Sequence, residues 1–280
     1  MAAGPPLSQL ALVASSVADD LGYVALSDLS DALASATSSY RIIGGHMVTV
    51  LVARWNLGAD LYRETADTDL GVPPLAIRDD HLLQRLRDVG YQKIEGNRFA
   101  RTLTDLPVVA PRRAADEGHQ AIVDVLVPAY TSRARQNRAI GDELVTTEVL
   151  GLATALKRDA VTMRLKLQRL NGVVLRADLS FPDEVAALVL KAFATRVRNK
   201  PTDVVDVWRC LEVAVASGMQ PSAFDDVHSA DAAAIVRALF ARRDGQGMRA
   251  LIAEQRLSSA AADAPFTRLR ALIDRVLGAG

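Results

Sequence analysis

Two aspartates one residue apart, Asp67 and Asp69, stand in the run Arg63-Glu64-Thr65-Ala66-Asp67-Thr68-Asp69-Leu70. On a strand, residues two apart face the same side, so both carboxylates would converge within a few ångströms. Like charges this close raise each other's proton affinity unless a cation sits with them. Mg²⁺ commonly takes one or two carboxylates together with substrate phosphates. The plainer reading of Asp-x-Asp is a solvated strand end with two charges. Asp124 is the second notable acid, because it interrupts the otherwise apolar run Ala121 to Val127. A strand that apolar is normally buried on both faces, and a buried acid is costly unless paired or metal-bound. Either an arginine such as Arg101 or Arg63 neutralises it, or it completes a three-carboxylate cluster with Asp67 and Asp69. Such a cluster can hold two metals and draw the proton from an attacking hydroxyl. Gly44-Gly45 lies between a short apolar run and a helical stretch. Glycines there let the backbone approach a phosphate, and a helix N-terminus favours negative charge. A plain turn explains the same dipeptide.

The elements that must position these residues can be read from periodicity. Tyr40 to Ile43 reads as a strand, His46 to about Trp55 as a helix, and Asn56 to Asp60 as a loop. Asp79 to Val89 carries Leu82, Leu83, Leu86 and Val89 on one helical stripe. Tyr91 to Leu103 reads as a hairpin turning at Glu95-Gly96-Asn97, and Val161 to Leu179 as a second one around Asn171-Gly172. Residues 129–158 read as helix and loop. From Pro182 onward the pattern is helical, over 183–198, 202–217, 230–242, 245–256 and 264–278. Residues 1–36 read as short helices, with Leu7, Leu10, Leu12 and Val13 in the first part and Leu26, Leu29 and Leu33 behind a Ser27 N-cap in the last. The expected organisation is an α/β fold, with a helical cap at 1–36, a mixed-sheet domain at 37–181 and an all-helical region at 182–280.

Composition narrows the function classes. Lys+Arg and Asp+Glu balance at 33 each, so any nucleic-acid surface must be local. Local basic groups do occur: Arg112-Arg113, then Arg133, Arg135 and Arg138, then Lys157-Arg158, then Arg164, Lys166 and Arg169. Each is equally readable as a solvated face. Aromatic residues make up only 5% of the chain, which argues against a stacking platform for single strands, though not against reading RNA by shape. One cysteine, Cys210, excludes an internal disulfide and fits a reducing compartment; burial in a helix is its expected role. No signal peptide or membrane-spanning run is recognised, so the expected location is cytoplasmic.

Taken together, Gly44-Gly45, the Arg-x-Thr-x-Asp-x-Asp-Leu run and Asp124 resemble the signature of the nucleotidyltransferase superfamily, of polymerase-β-like fold. The run from Arg63 to Leu70 is similar to the AbiEii/MenT type, which includes bacterial toxins. A helical element strengthens the likeness: Lys191 in Leu190-Lys191-Ala192-Phe193, followed by Lys200-Pro201-Thr202-Asp203-Val204-Val205-Asp206. The same residues are otherwise an ordinary capped helix start. The resemblance spans roughly residues 40–210. It departs from the family in the longer gap between Gly45 and Asp67 and in Thr68, where an aliphatic residue is more usual. It implies Mg²⁺ on Asp67 and Asp69, with Asp124 activating the acceptor hydroxyl or holding a second metal. It also implies a phosphate cradle from Gly44, Gly45 and His46, and Lys191 on the triphosphate. Arg63, Thr65 and Arg196 are expected at the nucleotide, although Arg63 is equally placed to pair with an acid. Asp203 and Asp206 both fit the downstream acid. The implied reaction moves NMP from an NTP to an RNA acceptor, the 3′ end of tRNA foremost, in a toxin with an antitoxin partner. A small-molecule or protein hydroxyl as acceptor, and a catalytically silent binding module, remain open at this point.

Overall fold

The computed structural model describes residues 8–58, 61–79, 81–104, 119–198, 200–255 and 262–278. The larger sheet has the strand order β2 (Arg41–Ile43), β3 (Asp67–Gly71), β6 (Gln120–Pro128), β5 (Arg98–Thr102), β4 (Gln92–Glu95). β3 and β6 run parallel, while β2 and β5 flank them antiparallel. The short β9 (Glu148–Val149) adds to the far end of β6, and β7 (Arg138–Ile140) and β8 (Leu144–Thr146) form a small hairpin beside it. The second sheet is the hairpin β10 (Val161–Gln168) and β11 (Val174–Phe181), with β1 (Ser8–Val13) parallel to β10. Helix α1 (Val17–Leu33) packs against β3 and β6 of one sheet and β11 of the other. Tyr23, Leu26 and Leu29 give it a buried stripe.

β6 shows why an acid can sit in an apolar run. Ala121, Val123, Val125 and Val127 are fully buried, whereas Ile122 and Asp124 face the other side and are only partly covered. The strand was expected to be buried on both faces, and from Val125 to Pro128 it is; before that its period of two sorts one face into the core and leaves Asp124 to a cleft.

The chain then turns helical, as expected. α5 (Leu152–Lys157) precedes the second sheet's hairpin, and α6 (Glu184–Val197) follows it. Asp183 caps α6 by accepting from the Ala186 amide at 2.8 Å. α7 (Pro201–Ala216) starts with Pro201, whose missing N–H costs nothing in a first turn. A 3₁₀ turn at Pro221–Phe224 leads to α8 (Val227–Leu239), α9 (Gln246–Glu254) and α10 (Asp263–Leu277). α6 and α7 pack on each other and on α2 (Gly44–Arg54), which ties the helical region to the larger sheet.

Four expectations need correction. Ser8–Val13 is a strand, not part of a short helix, because β10 offers it a complete ladder partner. The helix of that segment is capped by Ser16, which accepts from the Asp19 amide, whereas Ser27 lies inside it and donates to the Arg176 carbonyl. The helix expected from Asp79 starts later: α3 (Pro74–Asp79) ends, His81 turns left-handed at φ 51°, and α4 (Leu82–Asp88) carries the stripe Leu82, Leu83 and Leu86, with Val89 as its C-cap. Residues 129–158 hold three short strands besides α5. Leu7 and Arg112-Arg113 lie outside the described residues. Among the described residues, no helix is long and apolar enough to cross a membrane.

Candidate active site

Four residues line up across the sheet. Ile43 pairs with Asp69, Asp69 with Asp124, and Asp124 with Arg98. Directly opposed residues share a face, so the two acids and the arginine point into the same cleft, with Asp67 two residues before Asp69 on that face. Gly44 follows Ile43 at φ +73° and opens α2. A Cβ there would lie 1.9 Å from Asp69 Oδ2, so only glycine lets the turn meet the carboxylate. Gly45 is equally constrained, because its Cβ would fall 2.5 Å from Thr65 Oγ1 and 2.8 Å from Arg63 Nη2.

The charges are unevenly shared. Arg98 forks Asp124, Nε to Oδ1 at 3.0 Å and Nη2 to Oδ2 at 2.8 Å, and its Nη2 also reaches Asp67 Oδ2 at 2.9 Å. Asp124 is therefore paired, though not with Arg101 or Arg63, which hold Asp28 and Asp206 instead. The Asp69 carboxylate has no hydrogen-bond or ion-pair partner among the described residues. Burial lifts its pKa from 3.8 to about 6; Arg198 and Lys191 oppose the rise, and Asp124 and Asp67 add to it.

A cavity of about 340 Å³ opens over this row. Gly44, Asp69 and Asp124 line one side, Lys191, Phe193 and Arg198 of the α6 end another, and Gln136, Thr147 and Glu148 a third. Lys191 reaches the cavity wall but is buried, with its ammonium 2.7 Å from Asp206 and 3.7 Å from Asp203. Asp206 is a buried hub that also holds Arg209 at 2.9 Å and takes a two-bond fork from Arg63. Burial works to raise its pKa, yet Lys191, Arg63 and Arg209 bring it down to about 2. Asp203 anchors Arg198 at 2.8 Å. The two acids that sequence left undecided share Lys191, which lies closer to Asp206; Asp206 also holds Arg63 and Arg209, and Asp203 also holds Arg198.

Some expected residues are not brought to the cleft. Arg196 is exposed and lines a different groove with Asp231 and Gln246; Arg198, two residues on, takes the cleft position. Arg63 is spent on Asp206 rather than offered to phosphate. The His46 side chain is buried with Nε2 unpartnered, and burial lowers its pKa to about 4, so only its backbone can serve a ligand. Thr65 Oγ1 is likewise buried against Gly45. Of the basic groups, Arg169 is buried on Asp20, Arg164 pairs with Asp178 and Arg158 with Asp183, so none of these is a free cation. Arg135 and Arg138 both clamp the buried Glu148, while Arg133 is exposed on the same loop.

Sequence reasoning missed Arg98, Arg198, Arg209 and Glu148. Arg209 carried a usable signal, standing three residues after Asp206 on a helix. Arg98 carried none, since its opposition to Asp124 is set by non-local register.

The donor set suits a hard cation, because it consists of carboxylate oxygens with one of them unpaired. Among the described residues, no group of three His, Cys, Asp or Glu side chains could enclose a metal by itself. Arg98 sits between Asp67 and Asp124. Were a Mg²⁺ bound, Asp69 and Asp67 would be the residues to hold it, and two carboxylates suit an ion that takes its other ligands from phosphate and water.

No family model matches the chain, and no curated protein matches it. Among solved structures, the chain is similar to an antigenic nucleotidyltransferase-like protein from Paracoccidioides brasiliensis, at 16% identity and a TM-score of 0.43. The match covers 78% of this chain and 88% of that one.

Proposed function

We propose that the chain is a nucleotidyltransferase that transfers NMP from an NTP to an acceptor hydroxyl. The observation that carries this reading is Asp69: a carboxylate without a partner among the described residues, directly opposite Asp124 and touching the Gly44 turn that opens α2. Bound Mg²⁺ would neutralise triphosphate charge and polarise the α-phosphoryl group. The chain's own part is positioning. Asp69 and Asp67 orient the cation, the first amides of α2 face the phosphates, and Lys191 and Arg198 set positive charge on the opposite wall. The acceptor oxygen bonds to the α-phosphorus as the bond to the β-phosphate oxygen breaks, and pyrophosphate leaves with that electron pair. Asp124 accepts the hydroxyl's hydrogen bond and then its proton. Arg98 holds Asp124 in place for that role, and a loose transition state asks for little early proton transfer.

The acceptor in this reading is RNA, the 3′ end of tRNA first, and the role is that of a cytoplasmic toxin held by an antitoxin protein. The exposed Arg133 and Arg135 on the loop at the cavity mouth support an RNA backbone contact. Residues 37–181 supply the carboxylates and 182–280 supply Lys191, Arg198, Asp203 and Asp206, so both belong to one catalytic unit behind the 1–36 segment.

The test is incubation with total tRNA, Mg²⁺ and each α-labelled NTP in turn, beside Asp67→Ala and Asp69→Ala. Label on tRNA that vanishes in both variants is expected. Mg²⁺-dependent NTP binding without label moves the acceptor to a small molecule or protein hydroxyl. No NTP binding at all leaves a silent binding module and overturns the enzyme reading.

A further inference from the structure

Arg98 is the first residue of β5, and its backbone is laddered directly to Asp124. Its guanidinium is therefore placed by sheet register and not by a free loop. The next link in the same turn, the Val125 amide donating to the Asn97 carbonyl at 2.9 Å, holds that register. Among the described residues, Asp67 and Asp124 have no other ion-pair partner than Arg98.

The fork engages both oxygens of Asp124 and one of Asp67. Such planar bidentate contact to a carboxylate is the strong form of ion pair, and the guanidinium stays protonated at every working pH. Three carboxylates with one guanidinium leave two negative charges, the charge that one divalent cation balances. A second divalent cation would have to take Asp124 and Asp67 from Arg98.

Resting on the nucleotidyltransferase reading above, we propose that Arg98 takes the place of a second metal ion, so that the cleft works with one divalent cation on Asp69 and Asp67 and a fixed guanidinium on Asp124. Arg98 is then a positioning residue: it holds Asp124 for the acceptor and supplies the charge a second cation would bring.

The experiment is equilibrium dialysis of the full chain against saturating Mn²⁺ with tripolyphosphate, a base-independent stand-in for the nucleotide tail. Metal and phosphorus are then counted per chain. The wild type should retain one Mn²⁺ per tripolyphosphate and Arg98→Gln two. Arg98→Lys, which keeps the charge, should stay at one. Circular dichroism checks that each variant is folded, and if Arg98→Gln is not, the wild-type and Arg98→Lys counts still decide. Two Mn²⁺ in the wild type, or two in Arg98→Lys, overturn the proposal and leave the nucleotidyltransferase reading standing. One Mn²⁺ in a folded Arg98→Gln overturns it as well. A wild type that retains neither metal nor tripolyphosphate overturns both.

Discussion

Asp69 and Asp124 stand directly opposite each other on the parallel strands β3 and β6, yet only Asp124 is paired, by Arg98. With Asp67 on Arg98 as well, the cleft holds two paired acids and one unpaired among the described residues, and the unpaired one contributes to how the fold responds to pH and to cations.

A carboxyl whose pKa is raised on folding, here from 3.8 to about 6, binds its proton more tightly in the folded state. Its contribution is therefore greatest at low pH, falls as pH rises from about 4 to 6, and is flat above. At pH 7.5 the ionised Asp69 costs the fold on the order of 2–3 kcal/mol. Asp69→Asn should remove that cost and raise the Tm while abolishing transfer. Mg²⁺ should raise the Tm of the wild type and not that of the variant. Asp28 is shifted the same way, to about 6, again mainly by burial, so a weaker pH slope will persist in Asp69→Asn. Thermal melts from pH 4.5 to 8 with and without Mg²⁺ check this; an unchanged or lower Tm for Asp69→Asn at pH 7.5 contradicts it.

Gly44 and Gly45 separate two effects that adjoin in sequence. Gly44→Ala sets a methyl into Asp69 and forces a side chain into left-handed backbone, a strain of about 1–2 kcal/mol. Cation binding should fall sharply with modest loss of stability. Gly45→Ala instead pushes on Thr65 and Arg63, and so on the fork to Asp206. It should cost more stability than Gly44→Ala. Mn²⁺ titration and urea unfolding of the two variants, side by side, test the contrast.

Asp206 serves three cations at once. Asp206→Ala leaves the buried Arg209 without a carboxylate and Lys191 with only Asp203 at 3.7 Å, and breaking a buried pair this way costs about 3–5 kcal/mol. Lys191→Met leaves Asp206 with Arg63 and Arg209, and should cost clearly less. If Lys191 also meets the triphosphate, Lys191→Met should weaken NTP binding well beyond its effect on folding. Equal destabilisation by the two substitutions in urea unfolding would contradict Asp206 as the centre of the network.

The contrast between these residues shows where the sequence was legible. Asp67 and Asp69 sharing a face follows from strand period alone, and the hairpins at Gly96-Asn97 and Asn171-Gly172 follow from turn chemistry. Asp124 was marked by its apolar neighbours. Arg98 was invisible because pairing across 26 residues fixes its partner, and a one-residue slip would have turned it to the other face. β1 was hidden for the same reason, since its six residues pair with a strand some 150 positions away. Arg196 was named and Arg198 missed because both stand at the end of the same helix, and only the packing of α6 shows which side meets the cleft.

The acceptor can be tested apart from the chemistry through Arg133. It is exposed on the loop whose next residues line the cavity, and it touches none of the carboxylates. Its neighbours are less suitable, because Arg135 and Arg138 keep the Glu148 carboxyl at about 2, with the Arg135 hydrogen bond the largest cause. Removing either would disturb a buried acid as well as a surface charge. If Arg133 contacts an RNA phosphate, Arg133→Ala should weaken tRNA binding and reduce the slope of log affinity against log salt by about 1. Tripolyphosphate binding should be unaffected. An unchanged slope with unchanged label transfer would remove the electrostatic support for RNA, and the acceptor would then be sought among small hydroxyl compounds and proteins.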